Sequence, residues 1–145
     1  MDQNMEFINY VYEVSCMGVS SMTTLLNTLK DKDNKIKKAC EDIIKGHEHF
    51  VKETKSILKK NNAEIKEVGM MAKMGSWMGI KTEMLKDNSD SRVADMIIRG
   101  LTMGLLELDK KIESFDENTD SKNKKLAKEL RKFESDSIEL LKPYL

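Results

Sequence analysis

Apolar residues in this chain recur every three or four positions almost from end to end, and a single proline, Pro143, interrupts the pattern only near the last residues. That spacing leaves little choice but helix. Ile8, Tyr12, Ser15, Val19, Met22, Leu26 and Leu29 step alternately by four and three, which puts them on one helical stripe and predicts a first helix over about residues 4–30. After the polar break "DKDN", the stripe Ile36, Cys40, Ile43, His47, Phe50, Thr54 and Ile57 predicts a second helix, over about 34–61, closed by "NN" because Asn tolerates the left-handed conformation that ends helices.

The third helix is expected over about 65–86, with "DNSD" supplying its stop and the cap of the next. Val93, Ile97, Leu101, Leu105, Leu108, Ile112 and Phe115 mark a fourth helix, over about 91–116 by the same periodicity. Leu126, Leu130, Phe133, Ser137, Leu140 and Tyr144 mark a fifth, after the capping cluster "DENTDS". No segment alternates as a strand does or carries a hairpin turn pair. The expected fold is therefore all-α: a four-helix bundle of long helices one, two, four and five, with the shorter, methionine-rich helix three as a crossover. Short loops reverse each helix on the one before, so helices two and four run parallel.

A chain of 145 residues suits one domain, 1–145, with a core of its own. Lys plus Arg and Asp plus Glu both total 25, and the lysine runs are interleaved with carboxylates, as on a solvated helix face. Without a basic excess or stripe, nucleic acid is not an expected partner. The opening "MDQNMEFINYVYEVS" lacks a basic segment followed by an apolar run, and no stretch approaches the roughly 20 apolar residues of a membrane span. The expectation is a cytoplasmic protein, with Cys16 and Cys40 as reduced, semi-buried thiols rather than a disulfide framework.

The stretch "MMAKMGSWMGIKTEM", residues 70–84, holds five of the eleven methionines and the only tryptophan. Met70, Met74 and Met78 share a face, with Trp77 and Lys81 beside it. Gly75 and Gly79, like Gly100 and Gly104 on helix four, stand four apart, a spacing that lets helices three and four approach closely while thioethers fill the gaps. Packing is the first reading. A thioether site for a soft ion such as Cu(I), or a plastic methionine surface for a partner helix, are the alternatives.

The end of helix one ("LLNTLKD"), "ACEDIIKGHEHFVKET", and "GSWMGIKTEML" followed by a capped helix with "IIRGL" resemble an uncharacterised bacterial ferritin-like four-helix-bundle family over nearly the whole chain. That family has a His-Arg-x-Trp-x-x-Ile-Lys pattern on its third helix and Arg-Gly-Glu on its fourth. Trp77, Ile80, Lys81, Arg99 and Gly100 match, whereas Met74, Gly75 and Leu101 stand where histidine, arginine and glutamate would be. The resemblance implies the bundle fold more than an activity.

Ferritin-like dinuclear iron chemistry needs a Glu-x-x-His pair from each of two helices, since a carboxylate and an imidazole three apart converge on one ion. The only histidines are His47 and His49, with Ile44 and Gly46 three residues before them. The dinuclear ligand set is absent, so oxidase, peroxidase or storage chemistry is not expected. His47 lies on the buried stripe near the centre of helix two, and Glu48, Glu107, Glu134 and Glu13 fall within roughly 10 Å of the bundle's midplane at about 1.5 Å rise per residue. His47, Glu48, Glu107 and Glu134 are the candidate ligands of an altered mononuclear site. The competing reading makes His47 a core histidine bonded to Glu134, Thr54 or a backbone carbonyl, with the glutamates reaching solvent. Glu13 and Cys16 belong to a polar face and form no site.

No glycine loop cradles phosphate, and no Ser or Cys has a paired base: Cys40 stands about 10 Å along the helix from His47. No catalytic residue is nominated. The functional expectation is a non-catalytic structural or protein-interaction role without a cofactor, as a homo-oligomer or with another protein, a homodimer forming through helix three or the open side of the bundle. The alternative is a bundle holding a single divalent metal ion at His47.

Overall fold

A computed structural model describes residues 2–66, 86–115 and 119–145. All the regular structure in them is helical: α1 (Gln3–Thr28), α2 (Lys37–Lys60), α3 (Asp90–Ser114) and α4 (Ser121–Leu141), with a 3-10 turn over Lys142–Tyr144. Helices α3 and α4 are the expected fourth and fifth helices. Residues 67–85, nearly all of the third helix expected over about 65–86, lie outside the described residues, and with them its packing residues Met70, Met74, Gly75, Trp77, Met78 and Gly79.

Local chemistry sets the helix ends. Asp2 accepts from the Met5 amide at 2.9 Å, Ser89 from that of Arg92 at 3.3 Å and Asp120 from that of Lys122 at 2.8 Å, each satisfying an otherwise orphaned donor. Helix α2 closes as its asparagines predict, with Asn62 at a φ of 53°. Ile36, before α2, brings no capping side chain. Asp90 supplies one from across the bundle: its carboxylate accepts from the Lys35 amide at 3.2 Å and from Asn34 Nδ2 at 2.9 Å.

Two such contacts fix the topology. Asn34 also donates to the Asn88 carbonyl at 2.9 Å, so α2 and α3 start at one pole. The Asp120 amide donates to Asn4 Oδ1 at 2.6 Å, so α1 and α4 start at the other. Helices α2 and α3 are therefore parallel, and the bundle runs up, down, down, up. Asn9, near the start of α1, exchanges hydrogen bonds with the backbone of Lys66, so the described ends Lys66 and Lys86 sit at opposite poles.

The core divides along the axis. Met22, Leu25, Ile36, Ile43, Val93, Ile97 and Leu141 fill one end; Phe7, Val11, Phe50, Leu108, Ala127 and Leu130 fill the other. Each fully buried large side chain contributes about 1.5–3 kcal/mol of transfer free energy. The expected stripe of helix five needs correction. Leu140 is 47% exposed and Leu126, Phe133 and Tyr144 are half-buried, while Asn123, Ala127, Leu130, Glu134, Ser137 and Leu141 face inward. A close approach causes the rotation: the Phe133 ring lies over Gly46 of α2, within 2.1 Å of where a Cβ would stand, so the phenyl group takes the α2 side and the next residue turns to the axis. Neither cysteine is in a disulfide; Cys40 is buried and Cys16 half-buried. Among the described residues, no helix is long and apolar enough to cross a membrane.

Candidate functional site

Between the two halves of the core, the bundle interior turns polar. His47 of α2 is 1% exposed and Glu134 of α4 is 3% exposed, and a gap of 3.5 Å separates His47 Nε2 from Glu134 Oε1. His47 sits one turn from Ile43 and one from Phe50, so apolar packing above and below fixes its depth. Its Nδ1 is 3.0 Å from the Ile43 carbonyl. A carbonyl only accepts, so Nδ1 carries the hydrogen and Nε2 is the nitrogen presented to Glu134. The edge of the Phe133 ring, 5.0 Å between centroids at 82°, blocks rotation of the imidazole on another side.

The other two helices contribute space. A Cβ on Gly18 of α1 would stand 2.4 Å from His47 Cδ2 and 2.6 Å from Cγ and Nε2, so the imidazole occupies room that only glycine leaves. A Cβ on Gly104 of α3 would be 3.6 Å from Glu134 Oε2, an ordinary contact. Between α1 and α3 a cavity of about 70 Å³ reaches the pair, walled by Met17, Met22, Leu25, Ile97 and Leu101, with Gly18, Gly100 and Gly104 at its edge. That volume exceeds the roughly 10–15 Å³ a single water needs.

Glu134 Oε2 lies in this setting with no hydrogen-bond partner. The buried hydroxyls nearby are already committed: Ser137 donates to the Phe133 carbonyl at 2.8 Å, Thr54 to that of Phe50 at 2.7 Å and Ser15 to that of Val11 at 2.7 Å. A buried carboxylate oxygen without a donor is costly. Its field extends to Tyr10, whose hydroxyl is pushed up to about 12 by burial, then by Glu107, Glu134 and Glu13.

Of the four residues nominated from sequence, two come together. Glu48 is exposed on α2. Glu107 is exposed on α3, 3.8 Å from Lys110. Among the described residues, no group of three or more His, Cys, Asp and Glu side chains gathers as a metal cluster would. Thr54, an alternative partner for His47, is satisfied by its own helix. Gly100 and Gly104, expected to pack against helix three, border the cavity. Sequence reasoning passed over Gly18, although a glycine inside the apolar run "CMGVSS" signals a close approach. Cys40 offers no nucleophile: burial, with lesser contributions from Asp90 and Glu41, pushes its thiol up to about 12.

No known protein family, curated protein or solved structure matches this chain.

Proposed function

We propose that this chain is a ferritin-like helical bundle, without the dinuclear iron centre, that holds one divalent metal ion between His47 and Glu134 as a non-catalytic binding protein. The up-down-down-up order of the helices supports the ferritin-like reading of the fold. The residues do not fit a dinuclear centre: the chain has no Glu-x-x-His pair, and one imidazole and one carboxylate meet at the midplane.

The observation that carries the metal reading is the gap of 3.5 Å with Oε2 left over. It is long for a hydrogen bond, whose donor and acceptor sit about 2.9 Å apart. It suits two atoms each about 2.1 Å from one ion at near-tetrahedral angles. The Nδ1 hydrogen bond to a carbonyl is the outer-shell contact that orients metal-binding imidazoles. Mixed nitrogen and oxygen donors favour Zn(II), Fe(II) or Mn(II) over a soft ion. His47 and Glu134 would hold the ion as its protein donors, and the polar end of the adjoining cavity would leave room for water to complete its coordination. Reduced thiols at Cys16 and Cys40 agree with a cytoplasmic setting.

Untagged protein is to be incubated anaerobically with Fe(II), Mn(II) or Zn(II), desalted and assayed for metal. Retention of about one ion per chain is expected, since a ligand bound to the folded state survives removal of the free pool when binding is tight. His47→Ala should abolish retention. Glu134→Gln, close to isosteric, should do so with the fold intact. Equal metal in the wild type and both variants would exclude this site.

A further inference from the structure

The cavity between α1 and α3 has two unlike ends. Its inner end is formed by His47 and Glu134, and among the described residues these are the only ionisable side chains that line it. The walls are otherwise apolar apart from Ser21, whose hydroxyl donates to the Gly18 carbonyl at 3.3 Å. Gly100 at the edge is exposed, so the space opens to solvent between the two helices. A molecule that fills it needs a polar head for the inner end and a bare hydrocarbon tail for the walls.

The charge of the head follows from the charge of the ion. A divalent cation held by one neutral imidazole and one carboxylate keeps one positive charge, and among the described residues no second acidic side chain lines the cavity to cancel it. Charge left uncompensated in apolar surroundings is costly. Glu107 is exposed, and solvent screens it from the interior. A monoanion bound to the ion removes the cost, and an oxygen donor suits Zn(II), Fe(II) or Mn(II). The size of the tail follows from the volume. About 70 Å³ is about half of a roughly 150 Å³ apolar cavity that takes benzene, which leaves room for about three carbons.

We propose that the cavity binds a short-chain aliphatic monocarboxylate, its head on the ion in place of water and its tail along Met17, Leu25, Ile97 and Leu101. The head rests on the ion proposed above between His47 and Glu134. Without that ion the carboxylate of Glu134 opposes an anion at the inner end, so binding requires the metal. The tail rests on the cavity alone. Each methylene moved from water to the apolar walls contributes about 0.8 kcal/mol, or about 4-fold in affinity, until the space is full. Thioethers at Met17 and Met22 adapt to the shape of the tail.

The test is isothermal titration of the Zn(II)-loaded, desalted full chain with acetate, propanoate, butanoate, pentanoate and hexanoate, after its zinc content has been measured. Affinity should rise about 4-fold per methylene from acetate to butanoate and then level off. Metal-free protein should bind none of the acids. Leu101→Ala removes part of the wall, so its loaded form should carry the rise on to longer acids; matching circular dichroism and zinc content would show that fold and metal site are kept. Loaded protein that binds no acid, that binds all of them equally, or whose levelling point does not move in Leu101→Ala would overturn the carboxylate and leave the metal site standing. A chain that retains no zinc would overturn the metal site, and the carboxylate with it.

Discussion

Three glycines inside helices respond differently to one added methyl group, and the difference measures how closely the helices approach around His47. On propensity alone, Gly→Ala within a helix gains about 0.5–1 kcal/mol, so Gly18, Gly46 and Gly104 would all be stabilised. The structure separates them. At Gly104 the new carbon would lie 3.6 Å from Glu134 Oε2, and the full propensity gain should appear as a Tm rise of about 1–4 °C for a chain of this size. At Gly18 the carbon would lie 2.4 Å from the imidazole of His47, and at Gly46 it would lie 2.1 Å from the Phe133 ring. Neither ring is a flexible chain end, so α1 or α4 must shift or a buried side chain must leave its rotamer. Overpacking of that kind costs about 1–3 kcal/mol, and net destabilisation of up to about 2 kcal/mol is expected at each site after the propensity gain. Urea denaturation followed by circular dichroism reads all three. On the proposed metal site, Gly18→Ala should also weaken retention, because it displaces Nε2 of His47, while Gly104→Ala should leave retention unchanged. If Gly18→Ala were as stabilising as Gly104→Ala, the packing of α1 on His47 described above would be wrong.

Two further outcomes follow from single side chains. Asp90 accepts hydrogen bonds from Asn34 and the Lys35 amide, so Asp90→Ala should cost about 1–2 kcal/mol in urea denaturation through loss of a cap to α2, a helix it does not belong to; a loss within error would remove it from the cap. The Cys40 thiol is raised from 9.0 to about 12 by burial, so its contribution to stability is whole below pH 9 and is lost as the pH rises toward 12. In that window the unfolded chain releases a proton that the folded chain keeps, a slope of up to about 1.4 kcal/mol per pH unit. Cys40→Ala should flatten the alkaline decline; an unchanged slope between pH 9 and 11 would show that Cys40 does not set it.

Helix positions were legible because the signals are local. Caps such as "DNSD" and "DENTDS", the closing asparagines and the three-four spacing each act within a turn or two, and the bounds of α1 to α4 agree with the sequence reading to within about three residues at most ends, the usual margin of boundary definition. The parallel course of α2 and α3 was legible from alternating reversals. Rotation about the helix axis was not. On the last helix two stripes overlap at Leu130 and Ser137, one through Leu126, Phe133 and Leu140 and the other through Ala127, Glu134 and Leu141. Apolar content favours the first, and the bundle adopts the second. What decides between them is Gly46 on α2, whose missing side chain admits the Phe133 ring, and that is information held on a different helix.

The same misreading explains why the site was half visible. His47 sits on a stripe that is apolar on both sides, so its burial could be inferred from its neighbours. Glu134 is buried against its own hydropathy, and any method that maximises apolar burial turns it outward. A position where the local rule fails while the fold persists is where function is expected to have imposed a cost. Here the cost is concrete: a carboxylate 3% exposed with one oxygen unpartnered, set beside an imidazole whose orientation Ile43, Phe133 and Gly18 all restrict. A packing requirement alone would be met by leucine at both positions, because replacing buried polar or ionic groups with well-packed apolar residues of similar volume is often neutral or stabilising. The variant Glu134→Leu with His47→Leu therefore divides the readings. If the pair serves a ligand, the double variant should be at least as stable as the wild type and retain no metal; a large loss of stability would instead make the pair a structural element of the bundle.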